Sequence, residues 1–320
     1  MATTDVISSP TPGVLVPMGD ALTDVLPTER FNDRGVPTRP WRDELRRIAD
    51  LRNLVTVVGC VVQSFGVVIV AAVIHTWWSY ALAFVLMARG HVCLNILAHE
   101  AAHRLLFSKR WANDHVGRWV LGYPTLQPTL AYRRAHFAHH RDEMGPDEPD
   151  MNLYSGYPIP ADSWHRKLRR DLTGVTGYKR MKQLGGALRN GGTEAWQVVG
   201  VQIAMLALSI AFARPLAYVV WIVSWLTIWQ FTNRLRAIAE HGGMIRSRDR
   251  RQTTHVVRQT WLARYWIVPY HTGWHLAHHV DMGVTWRNLP RLHEALVADG
   301  WITPEITYPS YRDFWRHVTR

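Results

Sequence analysis

The stretch "LVTVVGCVVQSFGVVIVAAVIHTWWSYALAFVLMARGHVCLNILAHEAAH" (54–103) decides the fold. It holds two apolar runs, Leu54–Ile74 and Trp77–Ala98, with Arg89 as the one basic residue inside them. Each approaches the roughly 20 helical residues that cross a hydrocarbon core of about 30 Å. Only His75 and Thr76 separate the runs, so the pair reads as a tight helical hairpin. The pattern recurs at Trp196–Ala213 and Leu216–Thr232, separated by Arg214 and Pro215. An all-α integral membrane protein with four transmembrane helices in two hairpins is therefore expected, with spans at about 54–74, 77–98, 196–213 and 216–232. The mean hydropathy of −0.12 hides these runs because the rest of the chain is strongly polar.

The net charge of +12 supports that layout. Arginines and lysines crowd the segments flanking the hairpins: Arg39 to Arg52 before the first, Arg166 to Lys182 before the second, Arg234 to Arg251 after it. By the positive-inside rule both termini and the long middle segment are cytosolic. The charge is then a topology signal rather than a nucleic-acid footprint, and no nucleic-acid partner is expected; the lipid bilayer is the first partner. Residues 1–40, rich in Pro, Thr, Asp and Gly, read as a disordered cytosolic tail without a cleavable leader, and 41–320 as one membrane domain. Residues 41–52, with Trp41, Leu45 and Ile48 on one face among arginines, read as an interfacial helix. Cys60 and Cys93 lie in apolar runs and imply neither a disulfide framework nor a cysteine metal site.

The second span ends in a histidine question. His99 and His103 stand four residues apart, and "HFAHH" (136–140) and "HLAHH" (275–279) repeat one spacing. Helical positions i, i+3 and i+4 share a face. His136, His139 and His140 thus project together, as do His275, His278 and His279. Charge-derived topology puts all three clusters on the cytosolic side. Eight imidazoles exceed one four-coordinate zinc and point to two metals; imidazole alone does not choose among iron, copper, zinc and nickel. His241, about two turns past the fourth span, is a ninth candidate ligand. Glu100 and Glu240 suit outer acceptors that orient imidazoles, and His271, one turn before His275, is a further outer candidate.

Two other chemistries are tested by the same residues. "HEAAH" fits the His-Glu-x-x-His of an intramembrane zinc protease, with Glu100 as base, but later spans offer no acidic third ligand and six clustered histidines stay unused. A metal transporter needs ionisable ligands along its spans, where the third and fourth offer chiefly Gln202, Ser209 and Ser224.

In this order around two hairpins, "HEAAH", "HFAHH" and "HLAHH" resemble the three histidine boxes of the membrane fatty-acid desaturase and hydroxylase superfamily, most like bacterial acyl desaturases. The likeness extends through "ARGHVCLNILAHEAAHRLLF" (88–107), "HFAHHRDEMGPDEPDMNLY" (136–154) and "HLAHHVDMGVTWRNLPRLHEAL" (275–296). The resemblance implies four transmembrane helices under a cytosolic helical cap holding a di-iron site. By it, His99, His103, His136, His139, His140, His275, His278 and His279 are iron ligands, and His241 matches an extra histidine of some members. His271 stands where members often carry Asn, a departure in the outer coordination. The implied activity is oxygen-dependent desaturation of a fatty acyl chain in a bacterial inner (plasma) membrane, with two iron ions and O2 as co-substrate. Fatty-acid or carotenoid hydroxylation or ketolation is the alternative within the superfamily. No nucleotide, iron–sulfur or haem motif is visible, so a separate electron donor such as a ferredoxin with its reductase is expected, with Arg246, Arg248, Arg250 and Arg251 as its landing site.

Overall fold

The structure, a computed structural model, describes residues 15–319. Among the described residues it is mostly helical, with two two-residue strands, Val256–Val257 and Thr307–Tyr308, paired in parallel with Val256 opposite Thr307. Four helical stretches are long and apolar enough to cross a membrane. Among the described residues the chain forms two compact units: Ala49–Arg133 with His165–Asn233, and 15–48 with Arg134–Trp164 and 234–319.

The first unit holds the hairpins. Its first long helix is Asp50–Ile74, at 25 residues roughly 37 Å by the rise of an α-helix. His75 ends it in the left-handed conformation (φ 52°), its N–H donating to the Ala71 carbonyl. At the start of Trp77–Ala102 the Thr76 N–H donates to Ser79 Oγ at 3.2 Å, capping the new helix. Two residues suffice for the turn because each finishes one helix end. The second hairpin joins Thr193–Ala211 to a helix beginning at Pro215, where the missing N–H costs nothing. Arg214 caps the other hairpin as well: its Nε donates to the Ala72 carbonyl at 2.8 Å.

The hydrophobic faces divide cleanly. Val55, Val62, Ile69, Val73, Trp77, Ile203 and Phe212 are exposed, a distribution that suits lipid rather than water. Polar side chains in the spans pair with one another. Gln202 donates to the carbonyls of Tyr123 (2.7 Å) and Pro124 (3.1 Å) and accepts from the Tyr218 hydroxyl at 3.2 Å. His91 Nε2 lies 3.1 Å from both the Trp221 carbonyl and Ser224 Oγ. Arg89 donates to Gln63 Oε1, and Asn95 donates to the His91 carbonyl at 2.8 Å. These groups are structural glue, and a polar ion path through the spans has lost its candidates.

The second unit is built on Phe31, Leu45, Leu276, Ala277, Val284, Trp286, Leu289, Leu292, Leu296 and Trp301, all buried together. It corrects two expectations. Residues 15–40 are not a free tail: Leu15, Val16 and Phe31 are buried, the Leu15 N–H donates to the Gly243 carbonyl at 2.8 Å, and Thr28 Oγ1 donates to Asp299 at 2.8 Å. Apolar residues at 15, 16 and 31 tie down a segment whose average composition looks unstructured; residues 1–14 of the expected tail lie outside the described residues. Nor do residues 41–52 form one interfacial helix. Trp41–Leu45 is a separate short helix, because Arg42 Nε (2.8 Å) and Arg46 Nη2 (2.5 Å) both bind the buried Asp281 carboxylate. Gly283 leaves the space: a Cβ there would lie 2.5 Å from Arg46 Nη2.

Candidate metal centre

The first histidine pair sits at the end of the long helix Trp77–Ala102, with His103 as its C-cap. Their ring centroids are 4.6 Å apart, and His99 Nδ1 lies 2.9 Å from Glu100 Oε1. The last carbonyls of that helix are satisfied by Arg133, whose guanidinium donates to Ala102 (2.8 Å) and Ala101 (3.0 Å) and pairs with Asp114 at 2.5 Å. Arg133 belongs to the helix that carries the second triplet, Thr129–Arg141. The start of that helix is held by Glu194, which accepts from the N–H groups of Leu130 (2.8 Å) and Ala131 (3.1 Å), as suits a carboxylate at a positive helix end.

The third triplet lies on a six-residue helix, His275–Val280, anchored just beyond its end by Asp281 and its two arginines. Seven histidines of this unit then fall into two groups. His139, His241 and His279 present nitrogens that all lie within 4.8 Å of one another. His275 joins them, its Nε2 at 3.0 Å from both His241 Nε2 and His279 Nε2. In the other group His140 Nε2 is 3.0 Å from His136 Nε2 and 3.1 Å from His278 Nε2.

The outer nitrogens explain this arrangement. His139 Nδ1 is 2.7 Å from Glu148 Oε2, His241 Nδ1 is 2.7 Å from the Thr253 carbonyl, and His279 Nδ1 contacts Glu143. Each acceptor assigns the ring proton to Nδ1 and leaves Nε2 as a bare lone pair. Glu143 is itself fixed by Arg250 (2.5 Å) and the Thr253 hydroxyl. His275 Nε2 can donate to one neighbour only, so one of the His241 and His279 lone pairs is left facing His275 Nε2 at 3.0 Å with no proton between them. A shared cation resolves that repulsion.

The separations also fit a metal. With metal–nitrogen bonds of roughly 2.1 Å, neighbouring ligands are roughly 3.0 Å apart at right angles and roughly 3.4 Å apart in a tetrahedron. The observed separations of 3.0–3.1 Å are those that nitrogens sharing one ion would have.

Protonation agrees. Burial, reinforced by neighbouring imidazoles, pushes His275 and His279 well below the usual histidine value, and burial with the nearby His139 charge takes His278 to about 3. These rings are neutral at physiological pH. Burial also pulls His139 down, but its bond to Glu148 and the surrounding carboxylates outweigh it, so His139 stands above the ordinary value. Glu148 answers in the opposite sense: burial raises it, and the His139 contact brings it below the carboxylate range. A cation on Nε2 would take over the role the proton has there.

The other residues named from sequence have distinct surroundings. Glu240 Oε1 is 3.6 Å from His275 Nδ1 and 3.4 Å from Arg236 Nε. His271 has a left-handed backbone (φ 63°) and packs its ring on Trp274 and Trp286, at 5.2 and 6.2 Å between centroids. The acceptors Glu143, Glu148 and Thr253 were not singled out by sequence, nor was Tyr154, a buried phenol whose ring lies 5.0 Å from His241. The arginines proposed as a landing site are largely committed: Arg250 to Glu143 and the His140 carbonyl, Arg251 to Asp249 and the carbonyls of Thr23 and Trp301, Arg246 to Asp142.

Comparison with known proteins agrees with this chemistry. Residues 75–314 match the family Fatty acid desaturase, a region that includes all three histidine boxes. The chain belongs to the fatty acid desaturase family. Its histidine groups are compatible with a metal site. The dihydrorhizobitoxine desaturase of Bradyrhizobium elkanii is 36% identical over 78 residues, 24% of this chain and 22% of that relative. The matched segment thus spans about a fifth of the relative's length.

Proposed function

We propose that this protein is an oxygen-dependent di-iron desaturase that places a double bond in a fatty acyl chain. The observation that carries the reading is the pair of nitrogen groups with Nε2 separations of 3.0–3.1 Å, with Nδ1 of His139, His241 and His279 spent on fixed acceptors. His136, His139, His140, His241, His275, His278 and His279 hold two irons in this reading, together with His99 and His103. Iron is preferred to zinc because the family's chemistry is redox and zinc has none.

Bound iron would supply the activation of O2 needed to break unactivated C–H bonds. The balance is one –CH2–CH2– unit, one O2, two electrons and two protons giving –CH=CH– and two waters. The protein's residues supply the rest. Glu143, Glu148 and the Thr253 carbonyl fix three ring orientations, and burial keeps His241, His275, His278 and His279 neutral. Two of the four electrons taken by O2 come from outside the substrate, so a separate donor of the ferredoxin type is part of the proposal. Both termini are assigned to the cytosol, and the bacterial inner membrane is the proposed location, on the strength of the flanking charge.

The test is expression in a bacterial host lacking the activity, followed by gas chromatography and mass spectrometry of total lipid acyl chains. Acyl chains two mass units lighter support desaturation. Chains sixteen units heavier would replace it with hydroxylation at the same centre. Unchanged acyl chains with a desaturated small molecule would move the substrate class toward that named for the Bradyrhizobium relative.

A further inference from the structure

Behind the third triplet, in the second unit, is a cavity of about 500 Å³. That volume lies in the range of small-molecule sites, roughly 300–1,000 Å³. One wall is His275, so an occupant would sit beside a histidine of the metal groups. The apolar lining includes Leu276, Val297 and Ile302. Its charged lining is Arg258 and Arg264, and no carboxylate lines it. The Arg264 guanidinium carbon sits 4.8 Å from the centroid of the Trp274 ring, which restrains a side chain that otherwise has many rotamers. His293 adds a ring that burial takes down to about 4, so it is neutral at physiological pH and offers a donor and an acceptor.

Two buried polar atoms of the lining lack a hydrogen-bond partner: Gln259 Oε1 and Thr303 Oγ1. Buried polar atoms left unpaired cost about 1–3 kcal/mol each, so two at one cavity call for an occupant or a role. Gly273 keeps Gln259 in place, since a Cβ there would lie 2.5 Å from its Cδ.

We propose that this cavity binds a small organic carboxylate with an apolar body. Two guanidinium groups without a local acid call for an anion, and guanidinium matches the planar, two-oxygen face of a carboxylate. The hydrophobic remainder of the wall calls for a carbon skeleton rather than a bare ion. Thr303 donates to the acid's oxygen, and Gln259 Oε1 takes a donor from the ligand or from a water it orders. The site is independent of turnover, so it stands or falls apart from the desaturase reading.

The experiment is calorimetric titration of the full chain, in nanodiscs of phosphatidylcholine, with 3-phenylpropanoate as the probe. Saturable one-to-one binding is expected. The amide analogue, 3-phenylpropanamide, should bind at least tenfold more weakly. The double variant Arg258→Gln/Arg264→Gln should lose at least tenfold, and Val297→Trp, which fills the space, should lose binding while both variants keep the wild-type melting temperature and metal content. Thr303→Val, which preserves shape, gives a second reading of the polar contact, with a loss of about threefold expected. Absence of saturable binding, equal binding of acid and amide, an unchanged double variant, or displacement by an equal concentration of inorganic phosphate would each overturn the assignment.

Discussion

His91 and His279 are both buried histidines, and they make opposite use of their rings. In the membrane-type bundle, His91 spends Nε2 on the Trp221 carbonyl and Ser224 Oγ, with no other imidazole partner. His279 spends Nδ1 on Glu143 and leaves Nε2 facing His275 Nε2 at 3.0 Å. The difference teaches that histidine count and burial do not make a metal site. What matters is which nitrogen the surroundings consume, and whether the remaining lone pairs converge.

The strongest way to break that contrast is to remove one converging nitrogen. His139→Ala and His278→Ala each delete one Nε2 from a different group, and each should abolish activity and bound iron measured by elemental analysis. Active protein carrying a single zinc and no iron would end the di-iron proposal. Retention of full activity in either variant would end the idea that the group acts as a unit.

A sharper test leaves every imidazole in place and loosens one. Glu143→Gln keeps size and a hydrogen-bonding oxygen but removes the charge that holds His279 and Arg250. A loss of about 10- to 100-fold in metal affinity or activity is expected. Glu148→Gln should behave alike through His139. If both variants match wild type in a metal-competition assay, orientation through Nδ1 is not what sets up the centre.

These two carboxylates also show where sequence stops informing. Between Arg141 and Met151, "DEMGPDEPD" offers five acidic side chains, Asp142, Glu143, Asp147, Glu148 and Asp150. Only Glu143 and Glu148 turn inward, at 2% and 7% exposure, and no periodicity marks them because the segment is irregular. The spans were legible for the converse reason: apolar runs of that length have one use, and Pro215 and the Thr76 cap mark their starts. The histidine triplets were legible because i, i+3, i+4 spacing fixes a common helix face before any tertiary contact forms. The partners of Asp281 were not, since Arg42 and Arg46 are more than 230 residues away and read locally as membrane-flanking charge. Residues 15–40 misled in the same way, because a few buried side chains outweigh a polar average.

Asp281 gives a test that separates folding from metal chemistry. Asp281→Asn removes the acceptor of two arginines beside the third triplet while leaving all histidines. Both arginines are about a third exposed, so the loss is set below that of a fully buried pair, at about 2–3 kcal/mol of stability. A lower melting temperature with metal stoichiometry retained at low temperature is expected. An unchanged melting temperature would show that the short third helix is anchored elsewhere.

The smallest effect is expected at His91, and it closes the comparison from the other side. Removing this imidazole takes nothing from either nitrogen group if its Nε2 serves only as bundle glue. His91→Gln keeps an amide that can reach the Trp221 carbonyl or Ser224 Oγ, so a change within about 1.5 kcal/mol, the scale of one hydrogen bond, is expected. Iron content and acyl product yield should stay at the wild-type level. His91 Nδ1, buried and without a partner, is the atom at risk in this argument. Loss of one iron in His91→Gln, with the melting temperature unchanged, would mean that a nitrogen far from any second imidazole still serves the metal, and the convergence rule would fail.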